Sequence, residues 1–263
     1  MAEENTYIRE LIYQLADDNF IHAYRGSEWL GLAPHIEEDV ALSSINQDTM
    51  GHASIFYELL EDLGEGSVND ISHKRSPSNF RNAIILEEVN GSGTYLEQPN
   101  YDWAFTVIRH LFFDEFKAIR LESLNQSSYE PLVHVSRKIQ TEHYYHLMHW
   151  KTWFTQLMTS TQDARDRMEL AINRVWGDFG GVISLGKYGK EMSDLKLIAS
   201  EYDLKSEWIN RIQESFKQVN FTIEGEPGME QGNGRNGEHT EDLTSALRVL
   251  SEVYKSDNKA IAW

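Results

Sequence analysis

Cysteine is missing altogether from the 263 residues of this chain. Its absence excludes a disulfide framework, a thiol nucleophile and a zinc–cysteine site, and it suits a protein of the cytoplasm. Proline is scarce, at 5 residues, so few positions forbid helix. Positive charge is in short supply: 24 Lys+Arg stand against 42 Asp+Glu, a formal net charge of −18. Such a surface repels phosphate backbones and anionic lipid, which argues against nucleic-acid or membrane binding and for soluble partners with basic patches. Long apolar runs are lacking too. The most apolar stretch, WAFTVIRHLFF, is short and contains Arg109 and His110, so no segment is expected to span a membrane. The opening residues MAEENTYIRE do not place an apolar region after a basic one, and no signal peptide is expected.

What the chain does have is helical periodicity. Four long segments place apolar residues at alternating spacings of three and four, the rhythm of bundle packing. The first runs from about Thr6 to Leu30 and the second from about Ile36 to Leu63, where Gly64 and Gly66 end it. The third covers about Tyr101 to Leu124, and the fourth starts near Pro131. Between the second and third lie a loop-like stretch and the short apolar piece FRNAIILEEV. Further helices are expected at about Asp163–Phe179, Met192–Glu201 and Lys205–Val219, and Thr240 is placed to cap a last one. No strong strand alternation and no fixed-period repeat is visible. The reading is an all-α, single-domain chain over residues 1–263: a core bundle over about 6–160, then C-terminal helices and a Gly-rich loop over about 161–263.

Each of the four stripes carries ionisable or polar groups near its middle. Asp18, His22 and Arg25 lie on the first, Thr49 and His52 on the second, Glu115 and Glu122 on the third, Glu142 and His146 on the fourth. Carboxylates and histidines converging on the centre of a four-helix bundle suggest the ferritin-like di-iron class. There two helices each give a Glu and the other two each give a Glu-x-x-His pair, a donor set that suits iron. The pairs are broken here. Thr49 stands three before His52 and His143 three before His146, while His73 follows Asp70 at that distance only in the loop. No Glu-x-x-His exists in the chain. Acid–histidine pairs at i, i+4 do occur, as Asp18/His22, Asp48/His52 and Glu142/His146, although Asp48 lies off the stripe that holds His52. The segment EHYYHLMHW, residues 142–150, concentrates three of the histidines on one helix.

Histidines on an apolar face are more often hydrogen-bonded core residues than ligands, and His22 and His52 are read that way first. Glu115 and Glu122 face either the centre or solvent, according to how the helix is rotated. Arg25, if inside, needs acidic partners, and its guanidinium would then occupy the electrostatic role of a metal. The stretch GNGRNGEHTEDL allows two readings. Either its glycines let backbone N–H groups and Arg235 approach a phosphate, or it is a loop that docks the terminal helix; the second is preferred.

The stretches LADDNFIHAYRGSEWLGLAPHIEEDVALSSINQDTMGHA, FRNAIILEEVNG, WAFTVIRHLFF, TEHYYHLMHWKTWF and GNGRNGEHTEDL, together with the terminal Trp263, resemble the phenylacetic acid catabolism protein family over nearly the whole chain. Within that family the resemblance is to the C-type subunits of bacterial phenylacetyl-CoA 1,2-epoxidases. It implies a ferritin-like subunit without catalytic residues. Its partners would be a catalytic di-iron subunit, a small bridging subunit and a reductase, in the cytoplasm. It further implies that any cofactor resides in the catalytic partner, and that His52 and His146 persist from ancestral metal pairs whose glutamates are gone. A homodimer is a further option. The alternative is that the chain is itself an iron-dependent oxygenase with non-standard spacing, using Asp18, His22, His52, Glu115, Glu142 and His146.

Overall fold

The computed structural model describes residues 2–256, with side chains from Asn5 onward; Trp263 lies outside the described residues. Four long helices form the frame: α1 (Ala2–Ser27), α2 (Ile36–Asp62), α5 (Trp103–Leu124) and α6 (Glu130–Thr159). Short helices α3 (Val68–His73) and α4 (Ile84–Glu87) fall in the link between α2 and α5. Beyond the frame come α7 (Gln162–Asp178), α8 (Gly180–Ile183), α9 (Gly189–Asp194), α10 (Glu201–Gln218) and α11 (Glu241–Ser256). Helix α1 packs along α2 and α5 along α6, and α7 and α10 cover the far side of α5. This is the all-α ferritin-like bundle expected, with added C-terminal helices.

Capping chemistry sets several of the ends. The Asp102 side chain accepts from the Phe105 N–H and starts α5, Thr161 accepts from Ala164 and starts α7, and Ser200 accepts from Asp203 and starts α10. The Ser200 cap corrects the helix expected over Met192–Glu201: α9 stops at Asp194, and Lys196 adopts a positive φ of 57°. Helix α1 likewise ends at Ser27 rather than Leu30. A two-stranded antiparallel hairpin, β1 (Gly91–Thr94) and β2 (Glu97–Tyr101), was not visible as alternation because most of its side chains are exposed on both faces.

One apolar core runs through frame and additions alike, from Ile8 on α1 through Phe112 on α5 to Trp208 on α10 and Leu247 on α11. Helix α5 is its centre. From Ala104 to Lys117 every one of its side chains is buried, because neighbours surround it on all sides.

The C-terminal loop is built into the bundle. Glu87 of α4, fully buried, accepts from the Thr240 N–H at 2.7 Å, from the Thr240 hydroxyl at 3.0 Å and from Asn82 Nδ2 at 2.8 Å, and pairs with His239 Nδ1 at 2.8 Å. At Gly234 an added Cβ would lie 2.0 Å from the Asn82 carbonyl oxygen, so only glycine fits. Among the described residues no helix is long and apolar enough to cross a membrane.

Candidate functional site at the bundle centre

The polar groups expected at the centre form separate clusters. Asp18 makes no hydrogen bond to His22, whose two ring nitrogens have no partner among the described residues. Its carboxylate receives Arg235 Nη1 and Nη2 at 2.7 and 2.9 Å, Arg120 Nη1 at 2.8 Å and the Ala83 N–H at 3.0 Å. Burial would push this carboxyl up, but the two guanidiniums dominate and hold it below the usual carboxylate range. Arg235 also donates to the Ser184, Arg81 and Val182 carbonyls. It is spent inside the fold, so the loop GNGRNGEHTEDL docks the last helix and no phosphate reading of Arg235 stands.

His22 is enclosed by rings: His110 at 4.1 Å and Phe113 at 4.5 Å between centroids. Burial pushes both imidazoles far below their ordinary pKa, so both are neutral. Arg25 lies away from the centre: it pairs with Glu28 at 2.9 Å and donates to the Glu87 and Asp242 carbonyls. It does not take the electrostatic role of a metal. Glu115 is buried on the other side of α5, in an ion pair with Lys151 at 2.5 Å, and Glu122 is exposed and paired with Arg211 at 2.7 Å.

His52 and His146 do lie at the centre, with residues the stripes did not single out, whereas Glu142 is exposed and reaches His52 from the surface. His52 Nε2 lies 2.9 Å from Glu142 Oε2, and His146 Nε2 lies 3.1 Å from Asp48 Oδ2. The i, i+4 acid–histidine pairs of α2 and α6 are therefore exchanged across the helix interface, each histidine taking the other helix's acid. A further pair at that spacing, Glu130/His134, is exposed. His149 reaches Glu38 of α2 at 3.0 Å, and Trp153 donates to the same carboxylate at 2.6 Å.

The residue in the middle is Lys117 of α5. Its Nζ donates to Asn19 Oδ1 at 2.6 Å and to His52 Nδ1 at 2.9 Å. Since an ammonium only donates, His52 Nδ1 is the acceptor and its Nε2–H points to Glu142. Burial, with Lys117 adding to it, pushes the His52 imidazole far down, so it stays neutral. Burial lowers the pKa of Lys117 itself and raises that of its neighbour Asp114, and the opposite charge of each partner works against the shift.

Asp114, His143 and His146 form the other half of the centre. One ligand-type atom of each lies within 4.8 Å of the others, and all three residues are buried. His143 Nε2 is bonded to the Asp114 carbonyl oxygen at 2.8 Å, and its Nδ1 lies 3.9 Å from Asp114 Oδ1. Three atoms of this group have no hydrogen-bond partner among the described residues: Asp114 Oδ2, His143 Nδ1 and His146 Nδ1.

A di-iron cluster does not fit these residues. Thr49, three before His52, is a hydroxyl that donates to its own helix at Ile45 O, and the α1 side chain that reaches Lys117 is the amide Asn19, not a carboxylate. His22 of α1 is enclosed by the rings of His110 and Phe113, and His52 of α2 has its inward nitrogen occupied by an ammonium. Two adjacent metal ions would need that nitrogen free and that positive charge gone.

Ferritin-like bundles with polar centres form a broad class, and the comparison with known proteins narrows it. The family model described as phenylacetic acid catabolic protein matches residues 1–263, and the chain belongs to that family. The chain is 26% identical over 243 residues to the C-type subunit of 1,2-phenylacetyl-CoA epoxidase from Escherichia coli (strain K12), covering 92% of this chain and 94% of that one.

Proposed function

We propose that this chain is a non-catalytic subunit of a phenylacetyl-CoA epoxidase complex in the cytoplasm. It would stabilise a catalytic di-iron subunit, with a bridging subunit and a reductase completing the system. The observation that supports this most is Lys117. Its ammonium fills the half of the bundle centre where a di-iron relative needs carboxylates and metal, and it is held there by Asn19 and His52. The likeness to an epoxidase subunit of the C type and the missing Glu-x-x-His pairs point the same way. On this reading the whole of residues 1–263 acts as one structural unit that covers a face of its partner. Exposed apolar side chains on the outer faces of α2 (Ile36, Val40) and α6 (Tyr144, Tyr145, Met148) suit such a face.

The test is reconstitution with the cognate catalytic subunit. Solubility and epoxidation by the catalytic subunit should depend on this chain, and iron-loaded chain supplied with reductase alone should leave phenylacetyl-CoA unchanged. Turnover by this chain without the catalytic subunit would sink the reading and favour the oxygenase alternative.

A further inference from the structure

We propose that Asp114, His143 and His146 bind one divalent first-row transition ion, clamping α5 to α6. The orientation of the two imidazoles is the first ground. Each has its Nε2 held from outside, His146 by the Asp48 carboxylate at 3.1 Å and His143 by the Asp114 carbonyl oxygen at 2.8 Å. With Nε2 as donor in both, Nδ1 is an unprotonated lone pair, and both Nδ1 atoms lack a partner among the described residues. Outer hydrogen bonds of this kind are what fix the tautomer of metal-binding histidines.

The third donor is Asp114 Oδ2, which also lacks a partner and belongs to a residue only 3% exposed. Leaving three such atoms buried and unpaired is costly, and a shared cation satisfies all of them at once. One ligand-type atom of each residue lies within 4.8 Å of the others, so metal–ligand distances of about 2.0–2.2 Å require these donors to draw in.

The donor set selects the ion. Two imidazoles and one carboxylate suit zinc, ferrous iron or cobalt, whereas magnesium and calcium take oxygen donors. The count is limited to one because the α1/α2 half of the centre holds the Lys117 ammonium. The site goes beyond the subunit reading and is independent of it: a structural ion gives no turnover, and its absence leaves a non-catalytic subunit intact.

The experiment uses the full-length untagged chain, produced in medium supplemented with zinc in one arm and ferrous iron (anaerobically) in another. A third arm refolds the chain with Co2+. Each preparation is desalted in the presence of a chelator and its metal content measured. We expect close to one ion per chain in at least one arm, an absorption spectrum of nitrogen- and oxygen-bound cobalt, and a higher Tm with metal than without. Asp114→Asn, nearly isosteric, should lose at least tenfold in retained metal. Asp48→Asn should weaken binding by about 10–100-fold, as loss of an outer partner does. His149→Gln, outside the site, should retain the ion. Folded wild-type chain that keeps far less than one ion in all three arms would overturn the proposal, as would retention unchanged in Asp114→Asn. Two ions per chain would overturn it too, and with it the argument that Lys117 closes half of the centre.

Discussion

Two buried aspartates, one on α1 and one on α5, occupy opposite chemical situations. Asp18 is fully matched: two guanidiniums and a backbone N–H take up both oxygens, at 2.7–3.0 Å. Asp114 Oδ2 has no donor to accept from among the described residues, although its residue is almost as deeply buried. A carboxylate with both oxygens matched by fixed donors is part of the scaffold. One left open beside two open imidazole nitrogens is placed to bind something. Burial and residue type are the same in both cases; the partners make the difference.

The comparison breaks most visibly at Asp18. Asp18→Asn removes the charge between two buried guanidiniums, and a cost of about 3–5 kcal/mol is expected, read as a fall in urea midpoint or as loss of soluble protein. A change below ~1 kcal/mol would show that the cluster is not a structural anchor.

Next in size is the response to acid of the His22–His110 pair. Both are held neutral by burial, with folded pKa values well below 6.5, so the unfolded chain binds more protons in mildly acidic solution. Their contribution is complete above pH 6.5 and declines as pH falls below it. Each loses at most ~1.4 kcal/mol per pH unit, and the pair should cost ~2 kcal/mol between pH 7 and 5.5. Urea titrations at several pH values measure the slope, and His22→Gln should flatten it. An unchanged slope in that variant would place the sensitivity elsewhere.

Lys117→Met sharpens the contrast between the two halves of the centre. It leaves Asn19 Oδ1 and His52 Nδ1 without their donor, at roughly 1–3 kcal/mol, partly offset by removing a buried charge. A stabilised variant would mean that desolvation of the ammonium outweighs its two bonds. The smallest effect is expected at Asp114. In metal-free protein, Asp114→Asn should stay within ~1 kcal/mol of wild type, because no hydrogen bond of Oδ2 is lost. A loss as large as that of Asp18→Asn would erase the distinction.

Much of the frame was legible in the sequence. The three–four spacing marked the long helices to within a few residues, and Thr240 stands immediately before α11, where its hydroxyl accepts from the Asp242 N–H at 3.3 Å. The missing Glu-x-x-His pairs were legible as well, since they depend on spacing within one helix. His52 and His146 lie with their rings 6.0 Å apart, while Glu142, expected on the inward stripe, is exposed and meets His52 from outside. Lys117 and Asp114 were not found, for a definite reason. From Ala104 to Lys117 helix α5 is buried on every side, so no single stripe marks its inward face, and the stripe through Glu115 leads to Lys151 instead. Arg25 is buried and paired with an acid, Glu28, as a buried guanidinium requires, but its bonds to the Glu87 and Asp242 carbonyls, from remote segments, draw it away from the centre.

By itself, then, the sequence determined which segments are helical, that no thiol and no Glu-x-x-His pair is present, and that the charge is strongly acidic. These follow from composition and from contacts between residues three or four apart, which helix geometry sets in advance. Only the tertiary structure decided that Arg235 closes on Asp18 across 217 positions of chain, that acids are exchanged between α2 and α6, and that Lys117 fills one half of the centre while three donors stay open in the other. Such pairings depend on how each helix is rotated about its own axis. That rotation is set by the packing of all its neighbours together, which no periodicity within a single helix encodes.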